Sequence, residues 1–296
     1  MAKKGTYYLG RVVKTGALDT DHIKASLRSP NSVSRYGSAW TFVDIQELTD
    51  GRSTYFFGRL VKYDPKGEVS VVDPEQRKEV RQSEPNMTIA SSPFVYVPEY
   101  QGLSFLHVSN QIEHSAFMNR WAEVVNASHH QILAECAVDP IADLRSFVRK
   151  LQSLDGIYRV SASVSPPNPM FGPLWEELKE YLAKRRTDRM KVEEDSGQGT
   201  PIDTDLAEHV QGILDQTEER PYEPEPLPIG DAAILMAADG YGKGYVRGRQ
   251  GEDFIIIRTS ETVRNFSFLR DPEPQDLYRK TVEILERIRE ERHMEH

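Results

Sequence analysis

From Asp239 to Arg249 the chain reads Asp-Gly-Tyr-Gly-Lys-Gly-Tyr-Val-Arg-Gly-Arg. Residues of these types interleaved on a strand suit nucleic acid. Tyrosine rings stack on bases, cations meet phosphates, and glycine lets another backbone approach closely. Tyr241, Lys243, Tyr245, Arg247 and Arg249 are therefore candidate contacts. The spacing is wrong for a P-loop, since no Lys-Ser/Thr pair ends it. It also opens no βα unit, which excludes a dinucleotide fingerprint. It comes near the RNA-recognition signature without matching it. The same glycines equally suit a bulged or twisted hairpin.

A second candidate is the basic run Lys179, Lys184, Arg185, Arg186, Arg189 and Lys191. It suits phosphate or an acidic surface, although cations also gather at helix C-termini to complement the dipole. Directly after it, residues 193–229 hold eleven acids and the single base Arg220. That segment carries more than the chain's whole net charge of −9. It reads as an acidic, proline-rich mobile linker, able to fold back and screen the basic run from nucleic acid.

Other chemistry is weakly signalled. The eight histidines include His107, His114 and the pair His129-His130, with no metal-ligand spacing. Neither a metal nor a cofactor is expected. Cys136 is the only cysteine, which excludes an internal disulfide and a multi-thiolate zinc site. No nucleophile triad is assignable. The N-terminus lacks a signal-peptide core and the longest apolar run, Ala232 to Ala238, is too short to span a bilayer. These features predict a cytoplasmic, soluble protein without a membrane partner.

The elements that must position these residues follow from periodicity. Tyr7–Val13, Ala39–Ile45, Thr54–Val61 and Val69–Val72 read as strands, with Asp50-Gly51 and Asp64-Pro65-Lys66-Gly67 as turns. A hairpin is expected from Phe94–Val97 and Leu103–Val108, and helices from Asp19–Leu27 and Glu113–Ala127. Gln131–Val138 reads as a strand, then Asp139-Pro140 as the cap and first turn of a helix ending at Gly156. In the strand that follows, Tyr158, Val160, Ala162 and Val164 form one face and Arg159, Ser161 and Ser163 the other. A helix is expected around Leu174–Leu182. Ala232–Ala238 reads as the first strand of a meander continuing through Leu269, and a last helix starts at Pro274. The expected fold is α+β: mostly antiparallel sheets with helices on one face, an acidic mobile linker, and a C-terminal meander with a final helix. Its expected parts are an α+β domain over 1–192, the linker over 193–230, and the meander and helix over 231–296.

Pro167-Asn168-Pro169 and Asp239-Gly240-Tyr241, with the order of elements around them, carry a resemblance. The chain resembles a bacterial family of unknown function found among mobile-element and phage-defence genes. That resemblance implies a role in bacterial conflict and transfers no catalytic residue. The combined expectation is a binding protein, a sensor or accessory subunit, engaging nucleic acid or a partner protein of the same system. A second copy of the chain is a further candidate partner. The alternative is a ribonuclease or other nucleotide-acting enzyme whose acids and histidines assemble from distant segments.

Overall fold

A computed structural model of the chain describes residues 3–129, 134–165, 184–185, 187, 189–197, 199–217, 222 and 227–292. In chain order the first half comprises β1 (Lys4–Gly16), α1 (Thr20–Arg28), β2 (Val33–Arg35), β3 (Ser38–Asp50), β4 (Ser53–Asp64), β5 (Glu68–Asp73), β6 (Lys78–Ser83), β7 (Met87–Val97), β8 (Gly102–Leu106) and α2 (His114–Asn126). The second half comprises β9 (Ala134–Pro140), α3 (Leu144–Leu151), β10 (Gly156–Val164), β11 (Met190–Asp195), α4 (Leu206–Asp215), α5 (Ile229–Met236), β12 (Gly242–Gln250), β13 (Asp253–Arg258), β14 (Asn265–Leu269) and α6 (Pro274–Glu291). The protein is α+β, and the strand pairings among the described residues are antiparallel. No helix among the described residues is long and apolar enough to cross a membrane.

The large sheet runs β14-β1-β8-β7-β4-β3-β2. Strand β1 is shared end to end: Lys4 to Tyr8 pair with β14, and Gly10 to Gly16 pair with β9. Sequence periodicity predicts helices on one face, but the centre of this sheet is covered on both. Phe94 and Tyr96 of β7 pack with α1 and α2 around Trp121, whereas Val95 and Val97 pack with Leu277, Leu285 and Ile288 of α6. An unbroken Phe-Val-Tyr-Val run is what such two-sided burial requires.

The small sheet runs β11-β10-β12-β13. Its inner residues Val160, Ala162, Val164, Val246 and Ile257 are buried against α3, α4 and α5. Its other face is the outer one.

Three expectations change. Periodicity predicts a two-layer sandwich on a single sheet over residues 103–189, but β8 and β9 flank β1, while β10 begins the second sheet. Asp139-Pro140 does not start a helix, because β9 stays paired with β1 through Pro140. The cap of α3 is Asp143, whose carboxylate accepts from the Ser146 N–H at 2.9 Å. Ala232–Ala238 is not a strand: α5 and a wide turn over Ala237–Tyr241 occupy it. Ala, Leu and Met are good helix formers, and a short helix buried on all sides has no period to read.

The acidic segment is likewise not a tether along its described length. Glu193, Glu194 and Asp195 complete β11, and α4 buries Leu206, Val210 and Ile213. Weak apolar periodicity predicts one helix over Asp205–Leu214 within the acidic segment, and Leu206, Val210 and Ile213 at helical spacing supply the burial that fixes it as α4.

The sheets meet at a buried ionic junction. Arg11 of β1 donates to the backbone oxygens of Asp239 and Tyr100, the latter at 2.6 Å, and lies 5.0 Å over the Tyr241 ring. Arg292, just past α6, pairs with the Asp239 carboxylate and donates to the Ala142 oxygen at 2.8 Å. Burial and the neighbouring Arg11 push the Arg292 guanidinium down to about 9.

Candidate nucleic-acid interface

The outer face of the small sheet is built by strand alternation. On β12, Gly242, Gly244, Val246 and Gly248 point inward and are buried, so Lys243, Tyr245, Arg247 and Arg249 point out. Register then places Ser163, Ser161 and Arg159 of β10 beside Lys243, Tyr245 and Arg247. On the far side, Arg258, Ile256 and Phe254 of β13 lie beside Tyr245, Arg247 and Arg249. Phe254 is 53% exposed and Ile256 41%. The Arg247 guanidinium sits 4.4 Å over the Phe254 ring. Tyr158 meets the same ring edge-on at 5.5 Å.

Two acids share this face. Glu193 and Asp195 of β11 hold Arg159, and Glu193 also holds Lys191 at 3.0 Å. Arg159 is thereby held above the usual guanidinium range, chiefly by its hydrogen bonds to Asp195 and Tyr245. Charge on the β10–β11 half is thus largely compensated. On the β12–β13 half, Arg258 pairs with Glu261 at 3.2 Å and Arg249 donates to the Gly251 oxygen at 2.8 Å. What remains there is a row of cations beside exposed aromatic and aliphatic surface.

Lys243, Tyr245, Arg247 and Arg249 share the outer face. Tyr241 does not: it is 1% exposed, in the turn before β12, stacked under Arg11. It packs the junction and is not placed to stack on a base. Lys184 and Arg185 are exposed, Arg186 lies outside the described residues, and Arg189 pairs with Glu135 at 3.4 Å. Tyr158, Phe254 and Ile256 escaped the sequence reading. Tyr158 follows inward parity on paper, but a register shift between Ile157 and Arg159 turns it outward. The alternation Phe254-Ile255-Ile256-Ile257 is uniformly apolar and hides which face is exposed.

The glycines have structural causes. A Cβ on Gly242 would lie 2.2 Å from the Ser163 backbone oxygen, and one on Gly248 would lie 2.4 Å from the Leu154 side chain. The backbone that glycine admits here is the protein's own.

Two of the separately chosen clusters converge. Arg189 and Lys243 line one cleft of about 240 Å³ with Glu135, Asp139, Ser163 and Ser165. Asp139 is 6% exposed, and its carboxyl is pushed up to about 6 by burial, against the pull of Lys243 and Arg189. Lys243 Nζ lies 4.0 Å from it.

The histidines converge only in part. His107 lies 3.4 Å from the Glu113 carboxylate, and both His107 and His114 contact the Tyr8 ring. Burial and then His107 push His114 down. His130 lies outside the described residues, and no cluster of three or more metal-binding side chains occurs among the described ones.

The family described as "Domain of unknown function (DUF4747)" matches residues 23–218, well over half of the chain. The chain belongs to the DUF4747 family. Comparison with curated proteins gives no match. The DUF4747 match takes in β10, β11 and the basic run but stops before β12 and β13. Half of the outer face therefore lies beyond the matched region.

Proposed function

We propose that this DUF4747 protein is a cytoplasmic nucleic-acid-binding protein, a sensor or accessory subunit in bacterial defence against phage. The observation that carries the binding reading is the outer face of the small sheet, where Tyr158, Tyr245, Phe254 and Ile256 adjoin Lys243, Arg247 and Arg249. Rings at this height stack on unpaired bases, and cations between them meet the intervening phosphates. A single strand fits that face better than a duplex, whose bases are already stacked. The defence setting rests on the resemblance of the sequence.

Labelled single-stranded RNA, single-stranded DNA and duplex DNA, titrated by fluorescence anisotropy across salt concentrations, test the reading. Single strands should bind most tightly, with affinity falling steeply as salt rises. Arg247→Ala should lower the salt slope by about 1. Phe254→Ala should weaken binding by about 1–3 kcal/mol and leave the slope unchanged. Absence of binding to all three polymers would discard the reading and turn the search to a partner protein.

A ribonuclease reading draws on the convergence of His107, His114 and Glu113 near Tyr8. Shortening of the bound RNA on a denaturing gel, abolished by His114→Ala, would favour it.

A further inference from the structure

We propose that the cleft between the two sheets takes one ribose of a bound RNA strand. The Asp139 carboxylate would accept a hydrogen bond from the ribose 2′-hydroxyl and so distinguish RNA from DNA. The proposal deepens the sheet-face reading and rests on it.

Position links the cleft to the sheet. Ser163 and Lys243 are register partners on the outer face, and both also line the cleft. A strand lying across β10, β12 and β13 would therefore reach the cleft mouth at one end of its track. Size limits the occupant. At about 240 Å³ the cleft is below the range of about 300–1,000 Å³ usual for whole small-molecule sites. One sugar or one base fits, and a complete dinucleotide cofactor does not.

Charge decides what faces inward. Asp139 lies deep, while Lys243 and Arg189 stand at the rim, 75% and 54% exposed in their side chains. A carboxylate at the base repels phosphate, so phosphates belong at the rim and a hydrogen-bond donor belongs inside. No hydrogen bond from another described residue reaches the Asp139 carboxylate, and its ion-pair partner Lys243 stands at 4.0 Å, beyond hydrogen-bond reach. Its oxygens line the cleft and keep acceptor capacity for a donor that enters there. The ribose 2′-hydroxyl is the donor that DNA lacks.

The charged groups acting on Asp139 are Lys243 on β12, Arg189 ahead of β11 and Glu135 on β9. On β1, Val13 is apolar, and Arg11 is turned to Asp239 and Tyr100.

The test compares single-stranded RNA with DNA and 2′-O-methyl RNA of the same sequence, by anisotropy, for wild type, Asp139→Asn and Phe254→Ala. The readout is the ratio of affinities, because removing one negative charge shifts all three alike. Wild type at pH 7.5 should prefer RNA by about tenfold, the scale of one hydrogen bond to a charged group. Asp139→Asn, which keeps a neutral acceptor in place of a charged one, should lower the ratio severalfold, and Phe254→Ala should weaken every polymer while keeping the ratio. The wild-type preference should shrink as pH falls below about 6 and the carboxylate is protonated, whereas that of Asp139→Asn should stay flat. Equal binding of RNA and DNA by wild type, or a ratio unmoved by Asp139→Asn, overturns the ribose assignment and leaves the sheet reading standing. Loss of all binding in wild type removes both. Thermal melts confirm that Asp139→Asn is folded.

Discussion

Asp139 is a carboxylate held where ionisation is unfavourable, and that has a consequence for stability. Burial raises its folded pKa from 3.8 to about 6. Between those values the folded chain binds more protons than the unfolded one, so stability falls as pH rises from about 4 to about 6. At about 1.4 kcal/mol per pH unit, the ionised group costs up to about 3 kcal/mol at neutral pH. Asp139→Asn should therefore raise the melting temperature at pH 7.5, and the gain should vanish near pH 4. A variant less stable than wild type at pH 7.5 would show that a donor satisfies the carboxylate in the folded chain. Residue placement was legible in the sequence where strand parity holds, as for Lys243, Tyr245, Arg247 and Arg249. Parity failed at Tyr241, which precedes the strand, and at Tyr158, where a register shift reverses it. Asp139 looked like a helix cap because an Asp before Pro reads the same whether the chain turns there or four residues later.

At the scale of elements, β10 and β12 approach so closely that Gly242 has no room for a side chain. Its Cβ would meet rigid backbone at Ser163, not a side chain that can swing away. Gly242→Ala should destabilise the protein by about 1–3 kcal/mol, the usual cost of overpacking. Urea unfolding measures this, and an unchanged midpoint would show that the two strands separate freely. The same reasoning explains which elements the sequence revealed. Half-buried strands and amphipathic helices such as α1, α2 and α6 carry a period, and of the two cap residues the sequence offers for α1, Asp19 and Thr20, it is Asp19 that accepts from the His22 N–H, at 2.8 Å. Helix α5 is buried all round and has none. The acidic segment misled in the opposite direction: its charges are real, but on β11 they alternate with Val192 and pair with Arg159 and Lys191, so the strand is a neutralised sheet edge.

Across the whole molecule, the two sheets are joined by charge as well as by apolar contact. The chain leaves the large sheet after β9, builds the small sheet, and returns through β14 and α6. The ends of this excursion are tied together at Ala142, whose N–H donates to the Ala238 oxygen at 2.7 Å, and at Arg264, whose N–H donates to the Ile141 oxygen at 2.7 Å. Arg292 closes the junction by reaching from the end of α6 to Asp239, next to β12. Replacing it with Ala leaves Asp239 buried without its strongest partner, a change that costs about 3–5 kcal/mol in comparable buried pairs. The loss should fall on the coupling between sheets more than on either sheet. Trp40 and Trp121 both lie in the core of the large sheet, and Trp175 lies outside the described residues, so in a Trp175→Phe background tryptophan fluorescence reports on the large sheet, while far-ultraviolet circular dichroism reports on both. In wild type the two signals should trace one urea transition. In Arg292→Ala the circular dichroism should begin to fall at lower urea, as the small sheet comes away first. Coincident transitions in the variant would mean that apolar contact alone couples the sheets. They would also mean that the cleft at their seam keeps its shape without the ionic junction, so the RNA preference assigned to Asp139 should survive in Arg292→Ala. Separated transitions make the opposite demand: a ribose held between two sheets requires both in register, and the preference should fade with the coupling.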